Sequence, residues 1–159
     1  MTPIAYQLEP NFTLSEFAVT NHADYRPGLL DSARAHWSPL KRVATMLQAV
    51  RDHYGAPVVI HSGIRTPELN AYLRHLGHPA SSASQHMLGE AADFHVQGED
   101  LREVFDWIRL ESGLKFGQLI LEGEPPGWIH LSLVGSRPAE RCQQAMTWSQ
   151  AGGYARVWE

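Results

Sequence analysis

A single cysteine, Cys142, is all the thiol that the 159 residues contain. No internal disulfide is possible, so a small cross-linked secreted scaffold is excluded. Cys142 also lacks the surroundings of a reactive nucleophile and reads as structural. Lysine is scarce too, with only Lys41 and Lys115, and the net charge is −4. No basic tract is present, and a nucleic-acid partner is not expected. Long apolar runs are missing. Nothing approaches the ~20 residues of a membrane span, and Met1-Thr2-Pro3-Ile4-Ala5-Tyr6 has neither the basic region nor the apolar run of a signal peptide. The expectation is a protein made in the cytoplasm that reaches any outside substrate by another route. The length favours one domain, 1–159, with one core, and a monomer is expected. The 43% apolar and 19% charged residues are ordinary for a globular chain.

Histidine, by contrast, is plentiful, with nine. His22, His36, His53, His75 and His78 lie in polar or helical surroundings and read as surface. His86 is different. It sits in Ser84-Gln85-His86-Met87-Leu88-Gly89-Glu90-Ala91-Ala92-Asp93, seven residues before a carboxylate. Gly89 permits a sharp turn, and Ala91, Ala92, Phe94 and Val96 make a buried strand around Asp93. A carboxylate among apolar neighbours is costly unless paired or metal-bound. A second candidate, His130, follows in the strand-like Trp128-Ile129-His130. Two His and one Asp suit zinc, with a fourth position left for water. His61 and His95 flank these motifs.

The rest of the chain supplies helices and strands in alternation. Thr13 and Glu16 form a capping box that predicts a short helix through about Ala18. Asn21 to Asp31, with Pro27-Gly28, reads as a loop. Ser38-Pro39 opens a helix whose apolar positions are Leu40, Val43, Leu47, Val50 and Tyr54, and Gly55 ends it. Pro57 to His61 reads as a strand. Thr66-Pro67 starts a helix that stops at Gly77, and Ala80 to Ser84 reads as a loop able to border a cleft. Asp100 and Glu103 cap the next helix, which Gly113 ends. Gln118 to Leu121 and Trp128 to Leu133 read as strands joined by the turn at 123–127. Ala145 to Ser149 and Tyr154 to Trp158 read as a last strand and a terminal packing segment. The fold class expected is α+β, an antiparallel sheet with helices packed on one face.

The pattern S-x-H-x-x-G-x-A-x-D followed by W-x-H resembles the M15 zinc peptidases. These are the D-Ala-D-Ala carboxypeptidase, dipeptidase and phage endolysin group, which shares a fold with the Hedgehog signalling domain. Ser62-Gly63-Ile64-Arg65-Thr66-Pro67-Glu68-Leu69-Asn70 is similar to that family's S-G-[YF]-R-[ST]-x-x-x-N segment. The resemblance runs from about Leu14 to Ser132. It implies Zn²⁺ on His86, Asp93 and His130, a Hedgehog/DD-peptidase-like fold, and a peptidoglycan stem peptide as substrate. With that substrate, the missing signal peptide and the lack of an evident wall-binding module lead to the expectation of a phage or prophage lysis or tail enzyme that acts on the wall after release or as part of a particle. Two other readings stay open: a weak or inactive zinc-binding domain, and a cytosolic D-Ala-D-Ala dipeptidase.

One departure concerns the general acid/base. Many family members place an acid three residues before the second metal His, and here that position is Gly127. The nearest acids are Glu122 and Glu124. Side chains alternate along a strand, so a hairpin whose paired residue numbers sum to 250 or 252 puts Glu122 on His130's face. Glu122 also resembles the strand-end acid of the closest subgroup and is preferred to Glu124. The Arg65 guanidinium can grip a substrate carboxylate or pair with a local acid such as Glu68; the resemblance implies a substrate-facing or transition-state role. Ser84 either orders the metal loop or contacts substrate, and Gln85 is the next substrate-binding candidate. Trp128 either walls the cleft or packs in the core.

Overall fold

The structure is a computed structural model that describes residues 6–122, 127–135 and 143–157. Two short strands, β1 (Gln7–Glu9) and β2 (Phe12–Thr13), pair at the start. The capping box then forms as expected. Thr13 donates its amide to Glu16 Oε2 at 2.6 Å and opens a 3-10 turn over Leu14–Phe17.

The expected loop at 21–31 is a correction. It holds a 3-10 turn, Ala23–Tyr25, and the start of helix α1 (Leu29–Ala35), which buries Leu29 and Ala33. Gly28 stands at its N-cap with φ 83°, a left-handed conformation that glycine adopts at little cost. Helix α2 (Trp37–Tyr54) follows after His36 alone, so Ser38 is its second residue and not its cap. Pro39 lies in the first turn, where amides have no intrahelical acceptor to lose. Leu40, Val43, Ala44, Leu47 and Val50 are fully buried, and Gly55 ends the helix at φ 64°.

Strand β3 (Val58–Ser62) leads to α3 (Pro67–His75), whose first turn is capped by Thr66 Oγ1 accepting from the Leu69 amide. Strand β4 (Ala91–Val96) leads to α4 (Leu101–Leu110), where Asp100 Oδ1 accepts from the Arg102 and Glu103 amides. The last four strands are β5 (Gln118–Glu122), β6 (Trp128–Ser132), β7 (Gln144–Ser149) and β8 (Gly153–Arg156). The terminal segment is thus a hairpin, where a strand and a packing segment were expected. Cys142, Glu124 and Trp158 lie outside the described residues.

Six strands form one sheet in the order β3-β4-β6-β5-β7-β8. It is antiparallel except where β5 and β7 run parallel. The mixed pairing arises because β7 joins β5 and not β6, the strand it follows in the chain. Alternation divides the strands between two faces. Ala92, Phe94, Val96, Leu119, Ile129 and Leu131 meet the helices in one apolar core. The intervening residues face the other way. The register sets Asp93 beside His130, His130 beside Ile120, and Trp128 beside Glu122. The hairpin sum is therefore 250, and Glu122 is diagonal to His130.

Candidate metal centre

Two ligand candidates come from neighbouring strands and the third from a turn. Asp93 and His130 are direct partners across β4 and β6. His86 lies in the 3-10 turn Gln85–Leu88, just before β4. Ser84 Oγ accepts from the His86 amide at 3.3 Å, so Ser84 orders this turn. Gly89 ends it at φ 65°. A Cβ there would come within 2.9 Å of His36 Cβ, so both conformation and space demand glycine.

The ring of His86 is oriented by a backbone group. Its Nδ1 donates to the Gly63 carbonyl at 2.7 Å, which leaves Nε2 as a bare lone pair. Gly63 can be nothing larger, because a Cβ would stand 2.4 Å from the Phe17 carbonyl oxygen. His86 Nε2 lies 3.2 Å from Asp93 Oδ1 and 3.2 Å from His130 Nδ1, and the last two are 2.8 Å apart. With bonds of roughly 2.0–2.1 Å, a tetrahedral zinc separates its ligand atoms by about 3.3 Å. The two edges at His86 come close to that spacing, and the Asp93–His130 edge, at 2.8 Å, is shorter. The chemistry of the triangle fits as well, since the His86 lone pair faces a carboxylate oxygen and two acceptors repel unless a cation lies between them.

All three groups are buried, at 2%, 6% and 8% exposure for His86, Asp93 and His130. Burial, with the Arg65 charge next, pushes His86 down to about 4, so the ring is neutral, as a ligand must be. For Asp93 burial acts upward. Its contacts with the two histidines outweigh it, and the carboxyl is held well below its usual range.

Arg65 pairs with an acid, but the acid is Asp93 and not Glu68. Its Nη2 donates to Asp93 Oδ2 at 2.8 Å and its Nε to Ser62 Oγ at 3.0 Å. A β-bulge makes this possible. The β3–β4 register passes from Ile60 opposite Phe94 to Ser62 opposite Asp93, with one extra residue in β3. Arg65 thus fixes one carboxylate oxygen and leaves Oδ1 to the centre, while still lining the cleft. Gln85 is mostly committed elsewhere, since its Nε2 donates to Glu90 Oε2 and the Leu133 carbonyl.

A cleft of about 380 Å³ opens over the three groups. Glu122 and Trp128 line it, joined by Trp128 Nε1 donating to Glu122 Oε2 at 3.1 Å. Trp128 is a wall and not a core residue. Burial, then the nearby Asp93 charge, raises Glu122 to about 7. His22, His61, His78 and Tyr154 also border the cleft. His22 is half-buried and His78 exposed, in keeping with the surface reading, and both stand at the border of the cleft. His61 Nε2 and His95 Nδ1 are 2.7 Å apart and form their own pair.

A buried His-Asp-His centre in an open cleft, beside a carboxylate raised toward neutrality, defines a metallopeptidase-type site. The profile of the family described as Peptidase M15 matches residues 10–132, and the chain belongs to that family. Its cofactor is zinc, and His86, Asp93 and His130 are the group that could hold it. No curated protein matches the chain. Among the described residues no helix is long and apolar enough to cross a membrane.

Proposed function

We propose that this zinc peptidase hydrolyses peptide bonds of bacterial peptidoglycan stem peptides, as a phage or prophage lysis or tail enzyme. The observation that carries the reading is Glu122, a carboxylate raised to about 7 in the same cleft as the metal-ligand triangle. In this reading His86, Asp93 and His130 hold the metal. When bound, zinc supplies Lewis acidity toward a carbonyl oxygen and a water. Glu122 takes the proton of the attacking water and delivers it to the departing amine. A group near neutrality suits both halves of that transfer. Arg65 and Ser62 keep Asp93 in place, and the edge of the Arg65 guanidinium that borders the cleft serves the substrate. Trp128 holds Glu122 through its indole N–H and walls the bound peptide.

Gly127 stands where many relatives carry an acid, and Glu122 on the opposing strand takes over its task. A carboxylate in this cleft supports the enzyme over a binding domain that has lost its base. The test is digestion of purified peptidoglycan with and without chelator, followed by mass analysis of the new termini. The termini also identify the scissile bond. Glu122→Gln should lower turnover by about 10²–10⁴-fold with zinc retained. Full turnover in that variant, or a wild type that cuts no peptidoglycan peptide, overturns the reading.

A further inference from the structure

The family match ends at residue 132, yet the chain goes on to add β7 and β8 to the sheet. The register carries the cleft-facing row onto these strands. Trp128 pairs with Glu122, Glu122 with Trp148, and Trp148 with Tyr154, one row across four strands. Tyr154 therefore shares the face of Glu122, and its ring borders the cleft that holds the metal-ligand candidates. Trp148 packs against it, with ring centroids 6.5 Å apart.

The Tyr154 hydroxyl donates to the Pro79 carbonyl at 3.2 Å, which ties β8 to the loop leading into the His86 turn. That bond is long for an O–H···O contact, whose usual distance is near ~2.7–2.8 Å. It is also exposed, so water can satisfy the Pro79 carbonyl if the hydroxyl turns away. Burial, followed by the Glu122 and Asp93 charges, pushes the phenol up to about 12. It keeps its proton at working pH and acts as a neutral donor.

On the peptidase reading above, we propose that Tyr154 is a substrate-positioning residue: its hydroxyl exchanges the Pro79 carbonyl for an oxygen acceptor of the bound peptide. The C-terminal hairpin then forms one wall of the substrate cleft, although it lies outside the matched family region. Glu122 moves the proton, and Tyr154 fixes where the peptide lies against it.

The test uses the peptidoglycan peptide whose cleavage the digestion assay identifies. Tyr154→Phe keeps the ring and removes the donor. It should raise KM about five- to tenfold, the loss expected for one neutral hydrogen bond, with kcat within about twofold. Calorimetric binding of the same peptide to the zinc-loaded Glu122→Gln protein should weaken by the same factor when Tyr154→Phe is added. Zinc content and Tm should hold. Tyr154→Ala, which also removes the ring, should weaken binding further. Unchanged KM and affinity in Tyr154→Phe overturn this inference while leaving the peptidase reading intact. A lower Tm with unchanged KM makes the Pro79 bond a structural strut and also overturns it. A wild type that neither cuts nor binds any such peptide overturns both.

Discussion

On β4 the residues alternate between two chemistries. Ala92, Phe94 and Val96 go to the helices, and each is at most 1% exposed. Asp93, one position away, goes to the cleft and is nearly as buried. The helix-side face is stabilised by apolar area removed from water, which is indifferent to pH and to metal. The cleft-side face collects a carboxylate, two imidazoles and a second carboxylate, which are costly to bury without partners. Neighbouring residues on one strand thus contribute to stability in opposite senses. The apolar face supplies the rigidity that lets the polar face hold its groups in a triangle with edges of 2.8 to 3.2 Å.

The sharpest way to separate the faces is to remove one group from each. His86→Ala should abolish tight zinc binding, because it deletes one corner of the triangle. Metal analysis after dialysis checks this, and full zinc occupancy would move the centre elsewhere. The variant should also lose the metal's contribution to stability, about 2.7 kcal/mol where free zinc is 100 times Kd. Phe94→Ala, on the other face, should cost about 3–5 kcal/mol in denaturant unfolding. Molecules of that variant that are still folded should bind zinc as wild type does. If Phe94→Ala instead lost zinc at unchanged stability, the two faces would not be independent.

The polar face was the more legible of the two in the sequence, and the reason is local geometry. His86 and Asp93 are joined by one turn and one strand, so their spacing alone brings them together. His130 stood out as an imidazole in an apolar, strand-like run, and strand alternation then put Glu122 on its face. Caps at Thr66 and Asp100 marked their helices, since side-chain oxygens satisfy orphan amides there. Helix α1 was hidden by Pro27-Gly28, which looks like a turn and in fact introduces a helix held by burial of Leu29 and Ala33. The Arg65–Asp93 pair depends on a bulge between residues 60 and 62, and no local pattern marks an extra residue in a strand. Tyr154 reaches the cleft through a parallel pairing of β5 with β7, a long-range choice that alternation cannot foresee.

A pH experiment probes the polar face alone. In metal-free protein Glu122 is raised to about 7 from 4.5. Below pH 4.5 both folded and unfolded chains carry the proton, and Glu122 imposes no penalty. Between 4.5 and 7 the unfolded chain releases it first, so stability falls as pH rises and levels off above 7. Glu122→Gln lacks this loss. In chelator it should gain about 3 kcal/mol over wild type between pH 4 and pH 8, at roughly 1.4 kcal/mol per pKa unit. A stability difference equal at both pH values would mean that Glu122 ionises without hindrance, and its case as a base near neutrality would weaken. Phe94→Ala keeps Glu122, so its deficit relative to wild type should be the same at both pH values.

Arg65→Lys makes the smallest change and tests how the polar face is held together. Arginine grips Asp93 Oδ2 and Ser62 Oγ with two groups of one rigid plane. Lysine keeps the charge but has a single ammonium and no planar fork, so it can replace one grip and not both. The Asp93 carboxylate then gains freedom to rotate, and Oδ1 is less well fixed at its corner of the triangle. Groups that orient metal ligands typically contribute 10–100-fold in affinity. Because the charge survives, the lower end applies: zinc should bind about tenfold more weakly in a competition assay, with Tm in chelator close to wild type. At saturating zinc the remaining defect in turnover isolates the substrate-facing part of the role. Unchanged zinc affinity with reduced turnover would assign Arg65 to the substrate alone. Weaker zinc with full turnover at saturation would assign it to Asp93 alone.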